Sequence, residues 1–285
     1  SALGVATHLS FGCEASALPL LSAAAALFKA ESPAFSAALR ARLADGLPYP
    51  RARALAAEQA AGLPAALRGG LMAVTGPVLA GGQAAPVLRE VAGECRARGF
   101  SGAVFDPEGG PTPFFSQLLG ELEDSLAAQD LALYVPEEHA QSVRRAGVLI
   151  ATALSGGSLE LRLREAAERF GRERTVAALQ RASEDFALPA LNGSGRALSP
   201  GELERLRAEQ GQAVFFSPEL CARYFTYMDG DGRPHFVLFD DGETMARKAE
   251  TARRAGLGQL AAAWPEIRDG AVQLGLAPRS GRGRR

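Results

Sequence analysis

The sequence predicts an α/β protein: a closed, TIM-type (β/α)8 barrel, irregular at its N-terminus, with a small α+β insertion before the last strand. Short apolar runs alternate with helical stretches from residue 71 onward, the rhythm of parallel strands covered by helices. Beyond residue 200 that rhythm gives way to closely spaced strands around Asp229-Gly230-Asp231-Gly232, a hairpin signal. One more helix and one more apolar run, Gly258 to Trp264, then close the pattern. An open α/β sheet is the competing architecture.

A chain of 285 residues can bury a barrel-sized core. The expected organisation is one domain over 1–275, including an inserted helix and antiparallel strands at 200–241, followed by a flexible basic tail at 276–285. A net charge of -1 gives no electrostatic case for a nucleic-acid partner. Cys13, Cys95 and Cys221 lack the paired spacing of a thiolate metal site or a disulfide framework, so neither a metal nor another cofactor is expected. The Ala-rich stretch from Ala15 to Phe28 is short for a membrane span and is interrupted by Pro19, so no transmembrane segment is expected. No basic leader precedes a signal-like segment.

Taken in order, Val5 to Phe11 reads as a strand, and helical sequence follows to about Lys29. Two helices are expected over 32–43 and 51–67, separated by Gly46-Leu47-Pro48-Tyr49-Pro50. Leu71 to Thr75 is a short strand. Gly81-Gly82 reads as a plain turn, because the lysine of a phosphate loop is missing. The helix Pro86 to Arg98 aligns Val87, Leu88, Val91 and Cys95 on one face and delivers the chain into the strand Ala103-Val104-Phe105. Helix Phe114 to Ala128, strand Leu131 to Val135, a short helix through Arg145, and strand Val148 to Leu154 follow. Leu159 to Gln180 reads as helix with a break near Gly171, and Phe186 to Ala190 as the end of a further strand before the Asn192-Gly193-Ser194-Gly195 loop. In the insertion, Pro200 to Ala208 is a capped helix, Ala213 to Phe216 a strand, and Arg223 to Met228 and Pro234 to Phe239 a hairpin. Asp229 and Asp231 there resemble the start of a calcium loop but lack its spacing and closing Glu, which favours a turn. Glu243 to Arg254 is the last long helix.

A barrel gathers its chemistry at the C-terminal ends of its strands, where Asp106, Glu108, Tyr134, Thr152 and Trp264 fall. His8, near the end of the first strand, is either a packed histidine or a substrate contact. Asp106 and Glu108 stand two residues apart, so they share a face if their strand persists that far. One carboxylate opposes ionisation of the other, which allows Glu108 to keep a proton for a glycosidic oxygen while charged Asp106 orients a polar substrate group. Two acids on one side of a scissile bond suit a mechanism in which the substrate supplies the nucleophile. A solvated Asp-Pro-Glu loop is the plain alternative.

The stretch Gly99-Phe100-Ser101-Gly102-Ala103-Val104-Phe105-Asp106-Pro107-Glu108 resembles the fourth-strand motif of the family 18 glycoside hydrolases, particularly their bacterial spore- and cell-wall-associated branch. A second stretch is similar to that family's inserted hairpin, acidic turn, last helix and last strand: Phe225-Thr226-Tyr227, His235 to Asp241, the helix Glu243 to Arg254, and Gly256 through Trp264. The resemblance covers roughly residues 68–266. It implies a retaining, substrate-assisted hydrolase of β-linked N-acetylamino-sugar polymers such as peptidoglycan or chitin, at an extracellular, cell-envelope or spore location. Glu108 would be the general acid/base, Asp106 would orient the N-acetyl group, and Trp264 would form the floor of the sugar site. Ser101 and Val104 replace earlier acidic positions of the motif, and Pro107 replaces an aromatic. Ile150 to Leu154 lacks the sixth-strand Met-x-Tyr-Asp pattern, so Tyr134 is the nearest candidate for the missing phenol. That loss keeps open a second expectation, a weakly active or inactive carbohydrate-binding protein on the same scaffold.

Overall fold

The computed structural model describes residues 2–8, 71–77, 84–98, 100–108, 110–190, 195–210 and 213–274. The helices expected over 32–43 and 51–67, the 15–28 stretch, Cys13, the Gly81-Gly82 turn, the loop at 192–194 and the basic tail lie outside the described residues. The fold is mixed α/β and divides into two compact units, Gly4–Leu149 and Ile150–Arg285 with Ser1–Leu3.

In the first unit, β1 (Ala2–His8), β2 (Leu71–Pro77), β3 (Gly102–Glu108), β4 (Ala132–Pro136) and β5 (Gly147–Ala151) pair in that order, every pair parallel. Parallel neighbours need a crossover, which α1 (Ala84–Arg98) supplies between β2 and β3 and α2 (Pro113–Ala127) between β3 and β4. The first crossover helix buries Val87, Val91 and Cys95 at helical spacing. The second begins where Thr112 Oγ1 accepts the Phe115 N–H at 3.2 Å and Pro113 occupies the first turn. It buries Phe115, Leu118, Leu119, Leu122 and Leu126 against the strands, each worth roughly 1.5–3 kcal/mol relative to exposure. Between β4 and β5 the chain makes a 3-10 helix, Glu137–Ser142.

In the second unit, β6 (Thr175–Leu179) and β12 (Gln259–Ala263) are parallel partners. Between them in sequence lies an antiparallel sheet of order β8-β7-β11-β10-β9, formed by β7 (Ser183–Ala187), β8 (Arg196–Ala197), β9 (Phe215–Ser217), β10 (Ala222–Met228) and β11 (Pro234–Phe239). The predicted hairpin is present, with Met228 paired to Pro234 and Arg223 to Phe239. Leu203 and Leu206 of α4 (Pro200–Gln210) pack against the cluster of Leu198, Phe225, Val237 and Phe239.

Several expectations are corrected. The helix expected to run to Gln180 stops at Phe170: α3 is Leu159–Phe170, Gly171 follows at φ 87°, and β6 begins at Thr175. Every residue of β6 is buried. Its Ala-rich composition hid a strand with two covered faces, and Gly171 is the backbone signal that ends the helix. Ser183–Ala187 belongs to the antiparallel sheet, so that sheet begins before the helix at residue 200. The strand expected to reach Leu154 ends at Ala151, and the last strand ends at Ala263, with Trp264 opening the short α6 (Trp264–Ile267). Before it, α5 (Gly242–Arg254) starts in a capping box between Asp241 and Thr244.

Candidate functional site

The backbone of β3 continues as strand through Glu108, so Asp106 and Glu108 occupy alternate positions at its C-terminal end, level with Thr75 and Pro77 of β2. The strand thus persists as far as the pairing argument requires. Val104 is level with Tyr134, which puts Tyr134 two positions short of Asp106, about 7 Å along the strand direction. Tyr134 is half-buried, and that burial raises its phenol above the ordinary value. His8 pairs with Met72, and Met72 with Ala103, so His8 is level with Ala103 and short of the acidic end of β3. These four positions share the first unit. Trp264 belongs to the second and stands one residue beyond the end of β12.

Thr152, at the exit of β5, is fully buried and its hydroxyl is spent on structure. It donates to Ala178 O at 2.9 Å and accepts the Gln180 N–H at 3.1 Å. In the stretch Ile150 to Leu154, which lacks the Met-x-Tyr-Asp pattern, the hydroxyl present is therefore engaged with β6.

Sequence reasoning did not foresee the polar groups at the end of β6. Lys248 Nζ donates to Gln180 O at 3.3 Å and lies 2.5 Å from Asp240 Oδ2. That carboxylate oxygen also accepts the Ala182 N–H at 2.7 Å, and the Asp240 N–H returns a bond to Ala182 O at 2.9 Å. Glu266 Oε2 accepts the Arg181 N–H at 3.3 Å, and burial raises the Glu266 carboxyl above its ordinary value. Arg181 also bonds the Glu266 carbonyl and pairs with Asp269.

A second polar cluster lies on the antiparallel sheet. Buried Asp185 accepts from Tyr227 Oη at 2.9 Å and pairs with His235 Nδ1 at 2.8 Å, while His235 Nε2 is 3.4 Å from Asp229 Oδ2. Burial, reinforced by the hydrogen bond and charge of Asp185, pushes the Tyr227 phenol up to about 12. Tyr227 and His235 fall in the stretch that carries the family resemblance, but Asp185 is 50 residues from its histidine, and no spacing rule joins them. Asp229 Oδ1 accepts the N–H groups of Asp231 and Arg233 at 2.9 and 2.8 Å, so the DGDG segment is a turn. Among the described residues, no group of three or more His, Cys, Asp or Glu side chains is placed to hold a metal ion. Among them also, no helix is long and apolar enough to cross a membrane.

No family model matches the sequence, and no curated protein matches it. Solved structures do. The spore cortex-lytic enzyme SleL of Bacillus megaterium QM B1551 superposes with a TM-score of 0.52 at 17% identity, over 70% of this chain and 59% of that one. The Bacillus subtilis protein ydhD gives 0.51 at 17% identity, over 67% and 78%. SleL of Bacillus cereus gives 0.50 at 14% identity, over 72% and 60%. The chain thus spans about three-fifths of the length of either SleL. The likeness is one of fold: the chain shares the fold of these spore cortex-lytic enzymes and of ydhD at low identity.

Proposed function

We propose that the protein hydrolyses β-linked polymers of N-acetylated amino sugars, peptidoglycan or chitin-like, with retention of configuration. Glu108 gives its proton to the glycosidic oxygen as that bond breaks, and the sugar's own acetamido oxygen closes onto the anomeric carbon. Water then opens the ring product while Glu108 takes back a proton, and Asp106 holds the acetamido group in the attacking orientation. Tyr134 and His8 of the same unit, and Trp264 of the other, are further proposed sugar contacts. The reading includes a (β/α)8 barrel formed within a single domain over 1–275, and a place outside the cell, on the envelope or the spore.

The observation that carries this reading is the length of β3. Its strand pairing runs to Glu108, which gives two acids alternate positions at the C-terminal end of a parallel strand, the end at which barrel enzymes assemble their chemistry. The likeness in fold to spore cortex-lytic enzymes supports the substrate class. Product analysis on chitin oligosaccharides and on peptidoglycan tests it. Cleavage is expected from the parent protein and a fall of at least about 10²-fold from Glu108→Gln; cleavage unchanged by that substitution rejects the assigned acid.

Thr152 favours a second reading, a glycan-binding protein with little or no hydrolysis. Its hydroxyl is committed to β6, Ile150 to Leu154 carries no phenol to steady the acetamido group, and one lost donor costs about 3–4 kcal/mol of transition-state stabilisation. Binding of intact oligosaccharide without release of reducing ends over long incubation distinguishes this reading.

A further inference from the structure

Side chains hold the backbone at the end of β6 and just beyond it. Across Ala178 to Ala182, the Ala178 carbonyl is bonded by Thr152, the Gln180 N–H by Thr152 Oγ1, the Gln180 carbonyl by Lys248, the Arg181 N–H by Glu266, and both backbone groups of Ala182 by Asp240. A loop leaving a strand ordinarily meets these needs with water. Here side chains meet them, and Lys248 and Asp240 are wholly withdrawn from solvent to do so. Removing two charges from water is costly, and their mutual attraction must offset that cost. What the arrangement secures is one backbone geometry at the end of a parallel strand.

The side chain delivered by that backbone is Gln180, which is exposed although the five residues before it and Ala182 after it are buried. Leu179 is level with Ala262 of β12, so Gln180 is level with Ala263 and stands next to the position from which Trp264 emerges. A primary amide offers a carbonyl acceptor and two N–H donors, the complement of an acetamido group or of vicinal sugar hydroxyls.

We propose that Gln180 is a sugar-contacting residue whose amide hydrogen-bonds the polar substituents of an N-acetylated sugar unit beside Trp264, held in place by Thr152, Lys248, Asp240 and Glu266. The inference rests on the glycan reading above and adds to it a recognition residue with its supporting shell. The backbone that carries the amide is fixed by these hydrogen bonds, so binding orders only the rotamers of the Gln180 side chain itself.

Calorimetric titration with the N-acetylglucosamine tetrasaccharide tests it, in a Glu108→Gln background so that the ligand is not consumed. Gln180→Ala and the near-isosteric Gln180→Met are each expected to weaken binding about 10-fold, with the unfolding midpoint unchanged because the side chain is exposed. Fluorescence of Trp264, the single tryptophan of the chain, should respond to saturating sugar in parent and variants. Equal affinity of both variants and the Glu108→Gln parent overturns the role of Gln180 and leaves the glycan reading intact. Absence of any binding to that parent overturns both. Loss in Gln180→Ala alone overturns hydrogen bonding by the amide and leaves contact by the stem.

Discussion

Lys248 Nζ lies 2.5 Å from Asp240 Oδ2 with both side chains fully withdrawn from solvent. The same oxygen takes the Ala182 N–H, while Oδ1 is buried without a hydrogen-bond partner. A pair of this kind is costly to bury and costlier to break, because removing one member strands the other charge. Lys248→Met is therefore expected to lower the free energy of unfolding by about 3–5 kcal/mol. The double variant Lys248→Met/Asp240→Leu should lose less, since no charge is stranded, although the Ala182 N–H then lacks its acceptor. Urea unfolding measures all of these, and a single variant as stable as the parent contradicts the account.

Glu123 performs a similar service in the first unit. This α2 carboxylate is 3% exposed and accepts the N–H groups of Arg144, Arg145 and Ala146 at 2.6–3.2 Å, just before β5. Glu123→Ala leaves these donors without an acceptor and should cost about 3 kcal/mol or more. The neighbouring Asp124 pairs with the same arginines at the exposed surface, where such contacts are worth about 0–1 kcal/mol. Asp124→Ala should consequently be close to neutral. Equal losses from the two substitutions would show that burial of Glu123 is not what matters.

Which features were legible follows from the kind of signal each leaves. The hairpin from Arg223 to Phe239 was readable because DGDG between alternating runs specifies a local turn, and Asp229 indeed closes it on the Asp231 and Arg233 N–H groups. The strand carrying Asp106 was readable from its apolar run, though its true end at Glu108 was conditional on pairing with β2. Thr175–Leu179 reads as helix in sequence because a strand buried on both faces has no alternation, and its alanines favour helix. The Asp240, Lys248 and Glu266 clamp was invisible for another reason. Its members come from a strand exit and two separate helices that only tertiary folding brings to Gln180.

Gly102 shows how a strand start depends on one absent methyl. A Cβ at this position would overlap Ala132 O, at the first rung of the β3 and β4 pair. Gly102→Ala must push these backbones apart and is expected to cost about 1–3 kcal/mol or more. Gly93 lies inside α1, and a Cβ there meets nothing within 4 Å. Gly93→Ala should therefore stabilise by about 0.5–1 kcal/mol through helix propensity and lost chain entropy. Thermal unfolding of the two variants should shift in opposite directions, and a shared sign would refute the steric argument.

Tyr227 gives a test in pH. Its hydroxyl donates to Asp185 at 2.9 Å, its ring stacks on His235 with centroids 4.6 Å apart, and burial with the nearby carboxylate pushes its phenol from 10 up to about 12. The folded chain thus holds this proton more tightly than the unfolded chain. A folded pKa above the unfolded one contributes stability that is fully present below pH 10 and is lost as pH rises through about 12. Tyr227→Phe lacks both the proton and its linkage. The stability difference between parent and variant should be constant up to about pH 10 and should shrink in the parent's disfavour from there to about 12. Urea midpoints recorded for both across that interval decide the matter: parallel curves would mean that the phenol is not held by Asp185 as the geometry requires.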